Sequence, residues 1–476
     1  MLKQIQFQKA PPESCGIPSA AIGEFTCKLQ KFDAIHSFML MRDDKIIAEN
    51  YWKPFKKEYK HELFSCSKSF VSAAFGIAAA EKLISTDDKL TDFFPDKLSD
   101  KVSARMREVT MRHLLTMSSG HEACPLAFGT TAQKQDWVKA FLESELPCQP
   151  GTKFVYNSAA TYMISAVLRK VTGMNILDYL NDRIFRHIGI KADKWDCCPS
   201  GINIGGWGLW LTTEDMLRFG YLLLKNGRWD NKQLIPADYL QEATSFQIDN
   251  SSNKNPDWKL GYGYQFWRTS HNSFRADGAC GQYILVIPDR NMVMAMTSGV
   301  SDMQRILTAF FETVYASAND KPLPENPAEY RKLQEIFASC SHPPVDSPLR
   351  FPHKGGVYEL EKNSASLRQI AVDFNKKGCS LTFISENGNS EKLCADYGCH
   401  TTNFLRLGEA ETRILAASCA WRDENELDIQ VYALETPFRD HYYLRFKKDG
   451  IELERTSNFN FLHNPMPLLH GTEKSS

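Results

Sequence analysis

Ser65 and Lys68 stand three residues apart, immediately ahead of the apolar run Phe-Val-Ser-Ala-Ala-Phe-Gly-Ile-Ala-Ala-Ala that begins at Phe70. Phe70, Val71, Ala74, Phe75, Ile77 and Ala78 fall on overlapping helical faces and no proline interrupts them, so a buried helix over residues 70–83 is expected, with Ser65 in its first turn. Residues three apart on a helix share a face, which lets the hydroxyl and the amine meet if both face a cleft. Serine is a poor nucleophile until a base takes its proton, and lysine serves as that base only when desolvation or a neighbouring cation lowers its pKa. The free N–H groups and positive dipole end of the helix would then favour an oxyanion at Ser65. The same spacing also describes an N-cap serine beside a surface lysine, so the remainder of the chain has to decide.

Other chemistry is less well supported. Cys66 is a second nucleophile candidate, with His61 or His271 as its base, but a cysteine in the first turn of an apolar helix more often packs than reacts. The thirteen cysteines are an odd number without a Cys-x-x-Cys pair, which fits a reducing, cytoplasmic setting. Neither Cys197-Cys198 nor the group Cys394, Cys399 and His400 has zinc-ligand spacing, so no metal is expected. The glycine-rich loop Gly205-Gly206-Trp207-Gly208 lacks a P-loop lysine and a preceding parallel strand, and no cofactor is implied. No Gly-x-Ser-x-Gly elbow occurs, which disfavours an α/β-hydrolase.

A chain of 476 residues is long enough for two or three domains. With 24% charged residues and a formal net charge of -1, it shows no attraction to nucleic acid or an anionic membrane. The N-terminus has no apolar core of the signal-peptide kind, and the run after Phe70 is far short of the roughly 20 residues that cross a bilayer. Residues 35–41 and 45–52 read as a hairpin around Asp43-Asp44. Residues 86–245 are mostly helices and loops, including helices over 133–142, 159–171 and 176–187, and Thr212 is a good N-cap. The period then changes to two, with strands at 262–267, 271–275, 282–288 and 292–297, before an amphipathic helix at 301–316. Hairpin, helices, meander and closing helix imply an α+β fold: an antiparallel β-sheet flanked by helices, with a helical subdomain. A proline-rich linker is expected at 317–352, after the domain 1–316. Residues 353–476 would form a separate antiparallel β-barrel or sandwich without a titratable constellation.

Three stretches in this order resemble the serine β-lactamase and penicillin-binding-protein superfamily, particularly its class C-like esterase and amidase branch. They are Ser65-Cys66-Ser67-Lys68 for Ser-x-x-Lys, Tyr156-Asn157-Ser158 for Tyr-x-Asn, and Ala276-Asp277-Gly278 where Lys-Thr-Gly or His-Thr-Gly normally stands. Arg112 to Gly120, Gly205 to Leu211 and Gly281-Gln282-Tyr283 look similar as well, so the likeness covers about residues 10–316. The resemblance implies that Ser65 forms an acyl-enzyme which water resolves, while Lys68 and Tyr156 exchange the proton as a general acid/base pair. It also implies an oxyanion hole from the backbone N–H groups of Ser65 and Ala279, and substrate contacts from Ser158, Asp277 and Gly278. A tyrosine close to lysine ammoniums is expected to ionise below its usual pKa.

Two departures from the pattern bear on substrate. Ser158 replaces the usual asparagine, and Ala276-Asp277 lacks the cation and hydroxyl that hold a substrate carboxylate, which argues against penicillins and D-alanyl peptides. The expected activity is hydrolysis of small esters or amides, with no nucleic-acid or membrane partner. The alternative is a binding or scaffold protein that kept the fold and lost turnover. Asp277 would either repel acidic substrates and attract an amine, or merely shape the turn before Gly278.

Overall fold

The computed structural model describes residues 6–32, 34–126, 136–406, 411–459 and 466–474. The helix expected over 133–142 begins in part outside these residues, and its described portion is Trp137–Leu142, capped by Asp136. The chain divides into two compact units, Met1–Tyr51 with Lys60–Cys340, and Trp52–Tyr59 with Ser341–Ser476.

In the first unit the predicted hairpin forms from Ile35–Arg42 and Lys45–Tyr51. Asp43 and Asp44 both adopt the left-handed conformation that a tight hairpin turn requires. The strands form one seven-stranded sheet in the order Gln8–Lys9, Lys45–Tyr51, Ile35–Arg42, Met292–Ser298, Gln282–Ile287, Ser273–Gly278, Trp267–Thr269. Every pairing is antiparallel except the first. Its central strands are buried residue after residue, because helices cover both faces. Thr213–Leu224 lies against Met292–Ser298 and Gln282–Ile287 on one side. On the other, the Phe25 ring of Ser19–Gln30 meets Phe38 of the sheet at 5.5 Å and Phe310 at 5.7 Å.

The remaining helices form the expected subdomain. Ser67–Ala80 is buried along almost its whole length, as a helix apolar on all sides must be. Its serines find partners: Ser69 Oγ donates to the Gln265 carbonyl at 2.7 Å, and Ser72 Oγ meets Tyr239 Oη at 2.9 Å. The helix Ser158–Thr172 ends at Gly173 in the left-handed conformation. The expected helix at 176–187 runs through Ile176–Leu180, Asn181–Phe185 and Arg186–Ile188, with a π-helical middle.

Where a linker is expected, residues 317–352 contain the helix Pro327–Ser339. Asn326 caps it, Pro327 occupies the position where a missing N–H does no harm, and Leu333 is buried as the helix lies on Ser19–Gln30. Proline here opens a helix rather than marking extended chain.

The second unit is a β-barrel. Nine strands close a ring, running from Ser390–Tyr397 through Gly378–Ser385, Leu367–Phe374, Gly356–Leu360, Leu469–Glu473, Gly450–Ser457, Arg439–Lys447 and Glu426–Ala433 to Arg413–Trp421. The ring shuts because Asp396 and Tyr397 pair in parallel with Ser418 and Cys419, while Thr401–Leu405 pairs with the other half of that last strand. Alternate residues of Arg439–Lys447 face inward, and Ile370, Leu381, Cys419, Ile429, Leu444 and Leu453 belong to the core. Among the described residues, no helix is long and apolar enough to cross a membrane.

Candidate active site

Ser65 occupies a one-turn 3-10 helix, Phe64–Cys66, directly before Ser67–Ala80. The preceding residue, Phe64, has φ 47°, a left-handed conformation that is strained for an aromatic side chain. Its buried ring and several hydrogen bonds hold it there. The Cys66 N–H donates to the Leu63 carbonyl at 3.1 Å and the Leu63 N–H to the Leu209 carbonyl at 2.9 Å. The Cys66 thiol donates to the Gln282 carbonyl at 3.1 Å. Cys66 is completely buried and burial pushes its thiol well up, so the thiol reading gives way to an anchoring role. Of its expected bases, His61 meets His36 at 3.1 Å, and His271 lies 4.1 Å from the Tyr315 ring, centroid to centroid.

Lys68 is 1% exposed, which removes the surface-lysine reading. Its Nζ lies 2.9 Å from Ser65 Oγ, 3.0 Å from Ser158 Oγ and 2.6 Å from the Gly206 carbonyl. Burial lowers its pKa to about 7, against the opposing pull of Cys124, Cys66 and Asp277. A neutral amine has two protons and one lone pair. The carbonyl can only accept, so one proton goes to Gly206, one to a hydroxyl, and the lone pair is left for the other hydroxyl. Nζ can accept the Ser65 proton when its lone pair is the one turned to Ser65 and Ser158 takes the second N–H. Gly206 permits this approach, since a Cβ there would stand 2.8 Å from the Ser158 carbonyl oxygen.

Tyr156 and Ser158 flank Asn157, the N-cap of Ser158–Thr172. The Asn157 Oδ1 accepts from the N–H of Ala159 at 2.9 Å and of Ala160 at 3.4 Å. Lys68 Nζ lies 4.9 Å from the centre of the Tyr156 ring, which stacks on Trp267 at 5.4 Å. The phenol is pushed well up by burial, and its hydrogen bond with Ser65 offsets only part of that. The expected depression of the Tyr156 pKa is therefore reversed: a single lysine, itself poised near neutrality, cannot outweigh desolvation.

The third motif meets the nucleophile through Gly278, where a Cβ would stand 2.2 Å from the Leu63 carbonyl oxygen. Only glycine lets the end of Ser273–Gly278 approach the Ser65 turn so closely. Next to it, the Gln282 amide donates to the Ala279 carbonyl at 2.9 Å and to the Ser298 carbonyl at 2.7 Å, holding the peptide at 279 in place. Asp277 is 8% exposed and paired with Arg275, whose Nε lies 2.9 Å from Oδ2. Arg275 is fully buried, with further bonds to the Asp257 carbonyl at 2.8 Å and Thr269 Oγ1 at 2.6 Å. Burial raises the Asp277 carboxyl to about 6 although Arg275 pulls it down. An amine-seeking free carboxylate is thus replaced by a buried ion pair.

Ser65, Lys68 and Ser158 meet directly, and Tyr156 sits over them. Gly206 and Gln282 lie in stretches that carry the resemblance, but the motifs gave them no role, and Arg275 lies outside them. Its signal is its place two residues before Asp277, on the same face of the strand.

The pattern of the family described as Beta-lactamase matches residues 9–305 of this chain. An uncharacterized protein of Alkalihalophilus pseudofirmus is 22% identical over 295 residues, spanning 54% of this chain and 81% of its own. In fold, the chain is similar to a protein assigned by name as a 6-aminohexanoate-dimer hydrolase from Bacillus anthracis. The TM-score is 0.55 at 18% identity, covering 68% of this chain and 89% of that one. It is also similar to EstCE1, a hydrolase with promiscuous acyltransferase activity, with a TM-score of 0.52 at 15% identity, covering 62% and 99%. With well over half of its length matched by the family pattern, and the serine–lysine pair lying within that match, this chain belongs to the Beta-lactamase family.

Proposed function

We propose that the protein is a serine hydrolase that cleaves small esters or amides through an acyl-enzyme on Ser65. The observation that carries this reading is the buried Lys68 amine, lowered to about 7 and 2.9 Å from Ser65 Oγ. Lys68 Nζ takes the Ser65 proton as Oγ attacks the substrate carbonyl carbon. The N–H groups of Ser65 and Ala279 receive the oxyanion, and the leaving oxygen or nitrogen departs with a proton from Tyr156, which Lys68 replenishes. Lys68 then takes a proton from water as the water oxygen attacks the acyl carbon, and passes that proton to Ser65 Oγ as the acyl C–Oγ bond breaks, which frees the acid and restores the serine.

The buried phenol supports Tyr156 as the proton donor and Lys68 as the base. Arg275 is spent on Asp277, which supports substrates that lack a carboxylate beside the scissile bond. The names of the similar hydrolases agree with ester or amide cleavage.

The test is fluorophosphonate labelling with peptide mapping, together with turnover of an activated ester. Label is expected on Ser65. Ser65→Ala abolishes labelling and most turnover, while Lys68→Ala and Tyr156→Phe each lower kcat by about 10²–10⁴-fold. The Ser65→Ala, Lys68→Ala double variant should fall little below the lower single one. Full turnover by Ser65→Ala would overturn the assignment. Absence of label and turnover in the wild type would leave a binding protein.

A further inference from the structure

His121 is buried in the same unit, 3% exposed, with its ring 4.9 Å from that of Phe141. The reaction proposed above makes no use of it. Its two nitrogens are nevertheless fully engaged: Nε2 lies 2.7 Å from Ser144 Oγ, and Nδ1 lies 2.9 Å from Ser119 Oγ and 3.4 Å from Asn157 Nδ2.

The partners decide where the proton sits. Ser144 Oγ donates its one proton to the Phe141 carbonyl at 2.5 Å, so toward Nε2 it can only accept, and Nε2 carries a hydrogen. Asn157 Oδ1 is committed to the helix N–H groups of Ala159 and Ala160, so the amide NH₂ is what faces Nδ1, and Nδ1 must accept. Two independent sets of contacts thus require one form, the neutral imidazole with its proton on Nε2. A proton on Nδ1 would oppose the Asn157 amide donor. The ring meets hydroxyls, an amide and an aromatic face, and burial drives its pKa down to about 4.

Asn157 is the residue between Tyr156 and Ser158. Its side chain starts the helix that carries Ser158, and its own N–H faces Met117 Sδ at 3.3 Å. We propose that His121 is a positioning residue for catalysis: by accepting the Asn157 amide while anchored to Ser144, it holds Tyr156 and Ser158 in register with Lys68. This inference rests on the serine-hydrolase reading. Through Asn157, a histidine that touches no reacting atom sets the geometry of the proton relay.

The test compares His121→Leu, which keeps bulk without an acceptor, with His121→Asn, whose Oδ1 replaces Nδ1. With an activated ester, His121→Leu should lose about 10²-fold in kcat with KM nearly unchanged, and Ser65 should label correspondingly more slowly. His121→Asn should recover most of that loss. If both variants fall together, or if His121→Leu matches a labelled, active wild type, the positioning role is overturned while the hydrolase reading stands. An unlabelled, inactive wild type overturns the hydrolase reading itself and this role with it. Should His121→Leu fail to fold, ¹⁵N NMR of histidine-labelled wild type decides. A bare Nδ1 with a protonated Nε2 at pH 7 is expected, and an Nδ1–H form or an imidazolium overturns the proposal.

Discussion

The chemistry at Lys68 rests on one physical effect. An ammonium taken out of water loses its hydration, and three hydrogen-bond acceptors do not restore it, so the neutral amine gains. The pH dependence follows with a definite sign. Below about 7 Lys68 carries the proton and cannot accept another from Ser65; above it, the amine is free. We expect kcat/KM for a neutral activated ester to rise with pH through about 7 and then level off, because the Tyr156 phenol, held up by burial, keeps its proton across that range. Initial rates across the pH range, on a substrate that does not itself titrate, check this. A profile that is flat, or that falls on the alkaline side near neutrality, would rule Lys68 out as the base.

At the scale of elements, the site is a junction of several segments, the loop carrying Gly206 among them, rather than the property of any one. The turn before Ser67–Ala80 supplies Ser65, the start of Ser158–Thr172 supplies Ser158, and the end of Ser273–Gly278 closes the other side. Absence of a side chain at 278 keeps the strand against the turn. Gly278→Ala would drive a methyl into the Leu63 carbonyl, 2.2 Å away, and the two backbones must separate. We expect about a 10²-fold loss in kcat with the fold retained, read by turnover beside thermal unfolding. An unchanged kcat would show that the juxtaposition of strand and turn does not matter to the reaction.

At the scale of the molecule, we propose that the barrel folds as its own unit, with the boundary after the helix Pro327–Ser339. Leu333 buries that helix against Ser19–Gln30, whereas residues 343–355 carry no helix or strand. Limited proteolysis should therefore cut within about 343–355 first and spare 327–339. First cuts inside the helix would remove this boundary. The barrel unit also takes in Trp52–Tyr59, where Phe55 belongs to a cluster with Ala416, Tyr432 and Leu434. That return could not be read from a linear boundary, since Phe55 lies some hundreds of residues from its partners in sequence.

The sequence by itself determined whatever depends on neighbours along the chain. The runs at 282–288 and 292–297, helical spacing after Ser65 and the aspartate pair at 43–44 act over a few residues, and strands, a helix and a hairpin form there; of the strand expected at 262–267, only Trp267 joins a strand, Trp267–Thr269. The three motifs named the residues that meet. Tertiary structure decided their chemical state. Burial by distant segments lowers the Lys68 pKa and raises that of the Tyr156 phenol, and the buried Asp277 pairs with an arginine of its own strand. The Gly206 carbonyl reaches Lys68 across 138 residues, and the tautomer of His121 is set by Ser144 and Asn157, 23 and 36 residues further on. Desolvation and hydrogen-bond direction are sums over everything that surrounds a group, and a pattern of near neighbours carries no term for them.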